Sequence, residues 1–345
     1  MKKYLLIVVF LFTAVFPLPQ NFLTQKDSPP PKTFHFLKHI KDYVPILSAS
    51  NFILFADFIY HGEGTLDAKK VKDGDIIWIP TRCFVEFMKQ VFPDIEAKII
   101  IFSSFRYIPK RKEKVLEGFD PSYDWYGKML DDERVIAWFG NNLTSDHPKV
   151  YPVPLGFRWF RTSQRFSSIW NSELLQSVEK LLNSVTIDQF FKGKKIKCYV
   201  NFAMTSPNRQ SLIEILKNKN KSESFPFARS PKNLLYTIVR PRPFEEYMRD
   251  LQNSEFVISP SGVNPDCYRI WEALYAGCIP IVEKTGIERL FDDLPVLIVE
   301  NFECITREFL EEAKQKMQKK EYNLEKLHSQ YWLDLMLEKQ RSVRE

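Results

Sequence analysis

The chain has 345 residues, 44% of them hydrophobic and 14% aromatic, and a formal net charge of +6. This length fits two domains of ordinary size, and the composition excludes a fibrous, disordered or solenoid protein. The basic runs lack interleaved aromatic and glycine residues, so we expect solvated surfaces and no nucleic-acid partner.

The first 19 residues have the pattern of a signal peptide or a signal anchor. Lys2 and Lys3 precede an almost purely apolar run from Tyr4 to Phe16. A retained anchor predicts a single-pass type II membrane protein with its body outside the cytoplasm, in the Golgi or ER lumen of a eukaryote or exported by a bacterium. Cleavage of the segment instead predicts a secreted protein. Residues 20–33 are polar and proline-rich, which predicts a stem or linker.

Residues 34–165 are predicted to form the first of two alternating strand and helix domains. A strand at 75–80, a helix at 82–92 and a strand at 97–102 indicate a βαβ unit and hence a parallel sheet. Further extended segments are predicted at 135–139 and 150–155. Residues 166–192 carry a helical, polar pattern without a strand signal, so we expect an inter-domain connection there.

Residues 193–325 are predicted to form the second domain. The pattern predicts strands at 195–202, 255–259, 279–283 and 295–300, and helices at 206–218, 244–253 and 268–276. A long charged helix is predicted from Thr306 into the tail, with 326–345 as a C-terminal helix. The fold class is therefore α/β, with two Rossmann-like doubly wound domains and a ligand cleft between the carboxyl ends of their strands.

The stretch SGVNPDCYRIWEALYAGCIPIVE, residues 261–283, places Arg269 and Glu272 in the first turns of a predicted helix, directly after a strand. Helix N-termini at this sheet edge attract anions. The arginine is suited to bind a diphosphate in a bidentate manner, and the glutamate to accept hydrogen bonds from ribose hydroxyls. The same spacing also fits an ordinary Arg–Glu ion pair on a surface helix.

Residues 269–281, RIWEALYAGCIPI, resemble the C-terminal signature of exostosin-type glycosyltransferases, Arg-x-x-Glu-Ala-Leu-x-x-Gly-Cys-Val/Ile-Pro-Val/Ile. The preceding Asn-Pro-Asp-Cys-Tyr is similar to relatives that add xylose to ribitol phosphate. The resemblance implies the two-Rossmann GT-B fold and a nucleoside-diphosphate sugar as the donor, with a UDP-sugar favoured. It also implies a glycan or polyol acceptor, and neither a separate cofactor nor a metal ion.

The same resemblance implies that Arg209, near the start of the helix after the strand 195–202, reaches the donor diphosphate together with Arg269. Asn264 stands eight residues before Glu272, where retaining relatives often carry a second glutamate, and this departure favours an inverting reaction. The remaining predicted donor-site residues are polar or small residues near the two arginines: Asn201, Ser259, Ser261, Gly262, Asn264 and Tyr268.

The catalytic base is expected in the first domain. Asp57, His61 and Glu63 lie in the stretch ADFIYHGEG, where glycines favour a flexible loop with groups suited to proton transfer. Asp124 and His147 are further candidates, and each of these residues also fits an ordinary loop position. The sequence therefore predicts a membrane-anchored or exported glycosyltransferase. The alternatives are a fucosyltransferase-like enzyme with a GDP-sugar donor and a non-catalytic carbohydrate-binding or scaffold protein.

Overall fold

A computed structural model describes residues 52–80, 83–104, 129–157, 186–203, 207–219, 235–238, 243–262 and 264–345. The predicted signal segment, the stem, Asp124 and most of the predicted connection at 166–192 lie outside these residues. Among the residues described, no helix is both long and apolar enough to span a membrane. The described strands form two five-stranded sheets in which every pair is parallel, which confirms the predicted α/β class.

The first sheet has its strands in chain order. They are β1 (Phe58–Ile59), β2 (Asp75–Pro80), β3 (Ile99–Ser104), β4 (Val135–Gly140) and β5 (Val150–Pro152). Helix α1 (Phe84–Gln90) lies in the connection between β2 and β3. Alternate residues of β2 belong to different cores because side chains alternate across a strand. Ile77 packs in one core with Phe84 and Phe87 of α1, whereas Trp78 belongs to the core on the other face.

The second sheet has the order β10-β9-β8-β6-β7. Its strands are β6 (Ile196–Asn201), β7 (Leu235–Ile238), β8 (Ser254–Ile258), β9 (Ile279–Glu283) and β10 (Leu297–Val299). The helices that accompany it are α2 (Pro207–Lys219), α3 (Phe244–Gln252), α4 (Tyr268–Tyr275) and α5 (Arg307–Met317). This is the order of a doubly wound sheet, as the sequence predicted.

Helix α4 ends where the sequence predicted, at Gly277. This glycine has a positive φ of 66°, a conformation in which a side chain is unfavourable. Its amide donates to the Leu274 carbonyl at 3.0 Å, and the Cys278 amide donates to the Ala273 carbonyl at 2.9 Å. These two bonds form a Schellman motif, which ends the helix and returns the chain directly into β9.

The predicted single helix from Thr306 into the tail is wrong, because α5 ends at Met317 and a separate helix, α6, spans Ser329–Arg344. The Asn323 side chain accepts from the Glu325 amide and starts a short 3₁₀ turn between them, a local bond that competes with a continuing helix. Helix α6 returns to the first sheet. Gln340 Nε2 donates to the Gly74 carbonyl at 2.9 Å, and Arg344 Nη2 lies 2.8 Å from Asp75 Oδ1.

Candidate functional site

The second sheet changes direction between β6 and β8. β7 lies on one side of β6, whereas β8, β9 and β10 lie on the other. The segments that leave the carboxyl ends of β6 and β8 therefore diverge, and open α/β sheets bind ligands in the crevice that this divergence creates. Residues 202–203 and 259–262 are the described parts of these two segments.

Arg209, in the first turn of α2, joins the two segments. Its Nη1 donates to the Ala203 carbonyl after β6, and its Nε and Nη2 donate to the Ser261 and Pro260 carbonyls after β8, each at 2.9 Å. The side chain is buried, with 5% of the residue exposed. Burial, and next the charge of Arg269, lower the pKa of the Arg209 guanidinium to about 10. Arg209 thus holds both sides of the switch point in place.

Arg269, in the first turn of α4, is arranged differently. Its Nε donates to the Asn201 carbonyl at the end of β6, at 2.8 Å, and the side chain is only partly buried. Within the described part of the chain, neither terminal nitrogen of this guanidinium has a hydrogen-bond partner, and no carboxylate lies within ion-pair distance. The positive charge also sits at a helix N-terminus, where the helix dipole does not compensate it. Arg269 can therefore bind an anion without breaking an existing contact of those nitrogens.

Glu272, one turn further along α4, is buried, with 6% of the residue exposed. Its Oε2 accepts a hydrogen bond of 3.0 Å from the Tyr247 hydroxyl of α3. Burial, and then the Glu272 carboxylate, raise the pKa of the Tyr247 hydroxyl well above its ordinary value, so that it stays a donor. Because Arg269 and Glu272 do not pair with each other, the interpretation of a surface Arg–Glu ion pair is wrong.

The other predicted donor-site residues lie at the same sheet edge. Asn201 ends β6, and its Nδ2 donates to the Tyr199 hydroxyl at 2.8 Å. Ser259, the first residue after β8, is 2% exposed, and its buried Oγ has no hydrogen-bond partner in the described part of the chain. The rest lie between this serine and the start of α4: Ser261, Gly262, Asn264 and Tyr268.

The carboxyl ends of the two sheets meet at Asp266. This residue precedes α4, is 1% exposed, and accepts from the Leu155 amide, beyond β5, at 2.7 Å. Its own amide donates to Asn142 Oδ1, beyond β4, also at 2.7 Å. Two strand ends of the first domain therefore contact the segment that carries Arg269, which agrees with the predicted arrangement of two domains with facing ligand edges.

The structure does not bring the three base candidates together. His61 and Glu63 follow β1 at the carboxyl edge of the first sheet, and the His61 amide donates to Thr65 Oγ1 at 3.0 Å. Asp57 precedes β1 and lies at the opposite edge, where its Oδ2 accepts from the Ile76 amide at 2.9 Å. Burial raises the pKa of the Asp57 carboxyl. Asp57 is therefore bonded to the start of β2, and it lies away from the edge of the first sheet that faces the second sheet.

His61 and Glu63 follow β1, which is the edge strand on the opposite side of the first sheet from β5. With strands about 4.8 Å apart, β1 and β4 are separated by roughly 14 Å. His147, the other described candidate, lies between β4 and β5, and its Nδ1 accepts from the Lys149 amide at 3.2 Å. Among the residues the structure describes, no group of three or more His, Cys, Asp or Glu side chains is arranged to hold a metal ion.

Two residues of the site were not identified from the sequence. Phe202 lies under both arginines, with the Arg209 and Arg269 guanidinium carbons 5.6 and 5.7 Å from its ring centroid. Asp266 stood out in the sequence only as part of the Asn-Pro-Asp-Cys-Tyr stretch. The sequence signal that could have identified Phe202 was its position immediately after a strand at the ligand edge. Asp266 had no such local signal, because its burial depends on contacts with the other domain.

A comparison with family models gives a match, and that match covers the switch point. Residues 183–290 match the model described as RXYLT1 C-terminal domain. The matched segment contains β6 to β9 together with Arg209, Arg269 and Glu272. This supports the resemblance to ribitol-phosphate xylosyltransferase relatives, while the exostosin-type classification stays a prediction. A comparison with curated protein sequences gives no match.

Several solved structures are distantly similar to the chain. A UDP-forming α,α-trehalose-phosphate synthase from Burkholderia xenovorans is 11% identical, with 81% of this chain and 77% of that chain covered and a TM-score of 0.36. An α,α-trehalose 6-phosphate synthase from Burkholderia multivorans is 11% identical, with coverages of 80% and 72% and a TM-score of 0.40. An E. coli trehalose-6-phosphate structure with bound UDP-2-fluoro glucose is 10% identical, with coverages of 79% and 72% and a TM-score of 0.37.

Proposed function

We propose that the protein is a glycosyltransferase that transfers a sugar from a nucleoside-diphosphate sugar to a hydroxyl of a glycan or polyol. The observation that carries this proposal is the Arg269 guanidinium at the switch point of a doubly wound sheet, because its terminal nitrogens have no partner among the residues that the structure describes. A buried second arginine lies beside it and adds positive potential. The match of residues 183–290 to the RXYLT1 C-terminal domain model supports the same reading of this segment.

Arg269 is proposed to bind the diphosphate of the donor. Its two terminal nitrogens suit a bidentate contact with phosphate oxygens, and the first turn of α4 offers further amide donors. Negative charge grows on the diphosphate as the bond to the sugar breaks, so these donors stabilise the transition state more than the bound donor. Arg209 contributes charge from a buried position and keeps the segments after β6 and β8 in register.

Glu272 is proposed to accept hydrogen bonds from the ribose hydroxyls of the donor. Its carboxylate lies one helical turn beyond Arg269 and is oriented by the Tyr247 hydroxyl. In a nucleotide the ribose is adjacent to the diphosphate. The acceptor for the ribose hydroxyls must therefore lie close to the group that binds the phosphates. We favour a UDP-sugar, in keeping with the ribitol-phosphate xylosyltransferase relatives.

The acceptor hydroxyl is proposed to enter from the first domain. In the transfer, the acceptor oxygen forms a bond to the anomeric carbon, the bond from that carbon to the diphosphate breaks, and a base takes the hydroxyl proton. His61 and Glu63 are the proposed bases, because both lie at the carboxyl edge of the first sheet. Asn264 in place of a second glutamate favours inversion. We also propose that residues 1–19 attach the protein to a membrane, with its body outside the cytoplasm.

The proposal is tested by offering the full-length protein a panel of UDP- and GDP-sugars, with ribitol phosphate and simple glycans as acceptors. We expect release of UDP from at least one UDP-sugar, and loss of this release in Arg269→Ala. Arg249→Ala is the matched control, because Arg249 is an exposed arginine on the neighbouring helix α3. Release of GDP alone would identify a fucosyltransferase-like donor, and neither binding nor release of any nucleotide would contradict the proposal.

A further inference from the structure

Asp266 takes part in the contact between the two domains through both its carboxylate and its backbone amide. One carboxylate oxygen accepts from the Leu155 amide of the first domain, and the other accepts from the Trp271 indole of α4, both at 2.7 Å. The backbone amide of the same residue donates to Asn142 Oδ1. Asp266 therefore bonds to both domains and to the helix of Arg269.

The partners from the first domain are themselves held in place. Asn142 has a φ of 58°, which is uncommon for a residue with a side chain, and the buried Nδ2 of its amide has no partner among the described residues. The neighbouring Asn141 donates from Nδ2 to the Val153 and Pro154 carbonyls, both at 2.9 Å, and so fixes the segment that ends in Leu155. Both partners of Asp266 thus belong to one ordered group at the ends of β4 and β5.

We propose that Asp266 is a positioning residue that sets the diphosphate-binding start of α4 against the first domain, so that donor and acceptor meet at the correct distance. Asp266 lies only three residues before Arg269. A shift of the Leu155 or Asn142 contact therefore moves the first turn of α4 relative to the acceptor domain. The catalytic part of this inference rests on the proposed glycosyltransferase function, whereas the contact between the domains does not.

The energetics of the carboxylate support a role beyond stability. Burial raises the pKa of the Asp266 carboxyl to about 7, although the hydrogen bonds from Leu155, Trp271 and Cys267 lower it. The ionised form is therefore held at a cost to folding, which is typical of groups kept for function. The elements packed against the carboxylate present amides and an indole. Among the described residues, the titratable group that interacts with this carboxyl is the Cys267 thiol. Burial and Asp266 raise the pKa of that thiol, whereas Arg269 and Arg209 lower it.

Two substitutions break the contact from opposite sides. Asp266→Asn presents an amide NH₂ where a carboxylate oxygen accepted. Asn142→Gly removes the acceptor of the Asp266 amide but leaves the carboxylate intact, and glycine adopts the positive φ at this position without strain. Asp146→Asn is the matched control, because Asp146 is an exposed residue of the same loop.

The first measurement is amide hydrogen exchange of the full-length protein without ligand, corrected for intrinsic rates. We expect faster exchange in peptides covering residues 150–157 and 261–270 in both variants, with β9 and the control unchanged. In the wild type, this protection is expected to weaken as the pH rises from about 4 to 7, because opening the contact exposes the Asp266 carboxyl and lets it ionise, and the Asp266→Asn protein is expected to lack this pH dependence. Exchange rates in these peptides that equal those of the wild type in both variants would overturn the inference.

The second measurement separates positioning from folding. We expect kcat to fall by roughly 100-fold in Asp266→Asn, the order of loss that a misplacement of about 1 Å causes, while the Kd for UDP stays as in the wild type. Faster exchange with an unchanged kcat would overturn the positioning role. If the wild type turns over no donor, the proposed function fails, but hydrogen exchange still decides whether the contact exists. If Asp266→Asn does not fold, Asn142→Gly decides both measurements.

Discussion

Arg209 and Arg269 share one aromatic neighbour but donate to different groups. Their guanidinium carbons lie 5.6 and 5.7 Å from the centroid of the Phe202 ring. Among the described residues, three nitrogens of Arg209 donate to backbone carbonyls, whereas Arg269 does so through Nε alone. The sequence predicted that both arginines meet the diphosphate. The geometry favours a division in which Arg209 shapes the site and Arg269 contacts the ligand.

This division predicts different consequences for stability. Arg209→Ala removes three donors from carbonyls of two segments, so we expect it to lower the free energy of unfolding by about 2–4 kcal/mol. Arg269→Ala removes a single backbone contact at a partly exposed position and is expected to change that free energy by less than about 1 kcal/mol. Chemical denaturation of both variants checks this. Equal losses in the two proteins would contradict the division.

Glu272→Ala is expected to weaken UDP binding. Loss of hydrogen bonds to a charged acceptor costs about 1.5–3 kcal/mol, which corresponds to a roughly 10- to 150-fold increase in Kd. Calorimetric titration with UDP measures the change, with Glu214→Ala as the control at an exposed glutamate of α2. Unchanged affinity in a folded Glu272→Ala protein would remove this residue from the ribose site.

Helix α6 is expected to stabilise the first domain although it follows the second in the chain. Trp332 is 4% exposed and belongs to the large core that includes Trp78 of β2 and residues of the second sheet. Gln340 and Arg344 of the same helix bond to Gly74 and Asp75 of the first domain. Trp332→Ala should therefore lower the free energy of unfolding by about 3–5 kcal/mol, the usual cost of removing a buried aromatic side chain. Glu338→Ala, at an exposed position of α6, is the control. A melt of Trp332→Ala at the wild-type temperature would show that α6 is dispensable to this core.

Asp266 predicts a pH-dependent difference in stability. Its pKa in the folded protein, about 7, exceeds the value of 3.8 expected for an unfolded chain. Between these values the folded state binds more protons than the unfolded state, so the contribution of Asp266 to stability falls as the pH rises from about 4 to 7 and is level above that. We expect the stability of the wild type relative to Asp266→Asn to follow this course in denaturation at pH 4.5, 6 and 8. A constant difference, or one that grows with pH, would contradict the raised pKa.

Buried strands were predictable from the sequence because they are apolar on both faces. The limits predicted for β2 and β9 agree with the structure, as expected for strands of parallel sheets with continuous apolar runs. β1 was missed because it has only two residues, and β7 was also not predicted. The charged pattern after Thr306 continues through residues 318–328, so the break between α5 and α6 was not visible. It depends on tertiary contacts, such as the burial of Leu327 and the hydrogen bond from the Tyr275 hydroxyl to its carbonyl.

The positions of the candidate residues were predictable where residue types and spacing indicate a helix start after a strand. Arg269 and Glu272 lie in such a helix, as predicted, whereas their roles stay predictions. The partners of Arg209 were not predictable, because they are carbonyls, which every residue possesses. Asp57 and His61 were grouped by their nearness in the sequence, but β1 runs between them and places them at opposite edges of the sheet.

The central claim is that Arg269 binds the diphosphate of a nucleotide-sugar donor. The most direct measurement is the Kd of UDP and of uridine for the wild type, Arg269→Ala and Arg269→Lys, each with a native melt. Because uridine lacks the diphosphate, we expect Arg269→Ala to weaken UDP binding by about 10-fold or more and to leave uridine binding unchanged, and lysine to restore UDP binding only in part because it lacks the bidentate fork. Equal affinity of the wild type and Arg269→Ala for UDP would contradict the account.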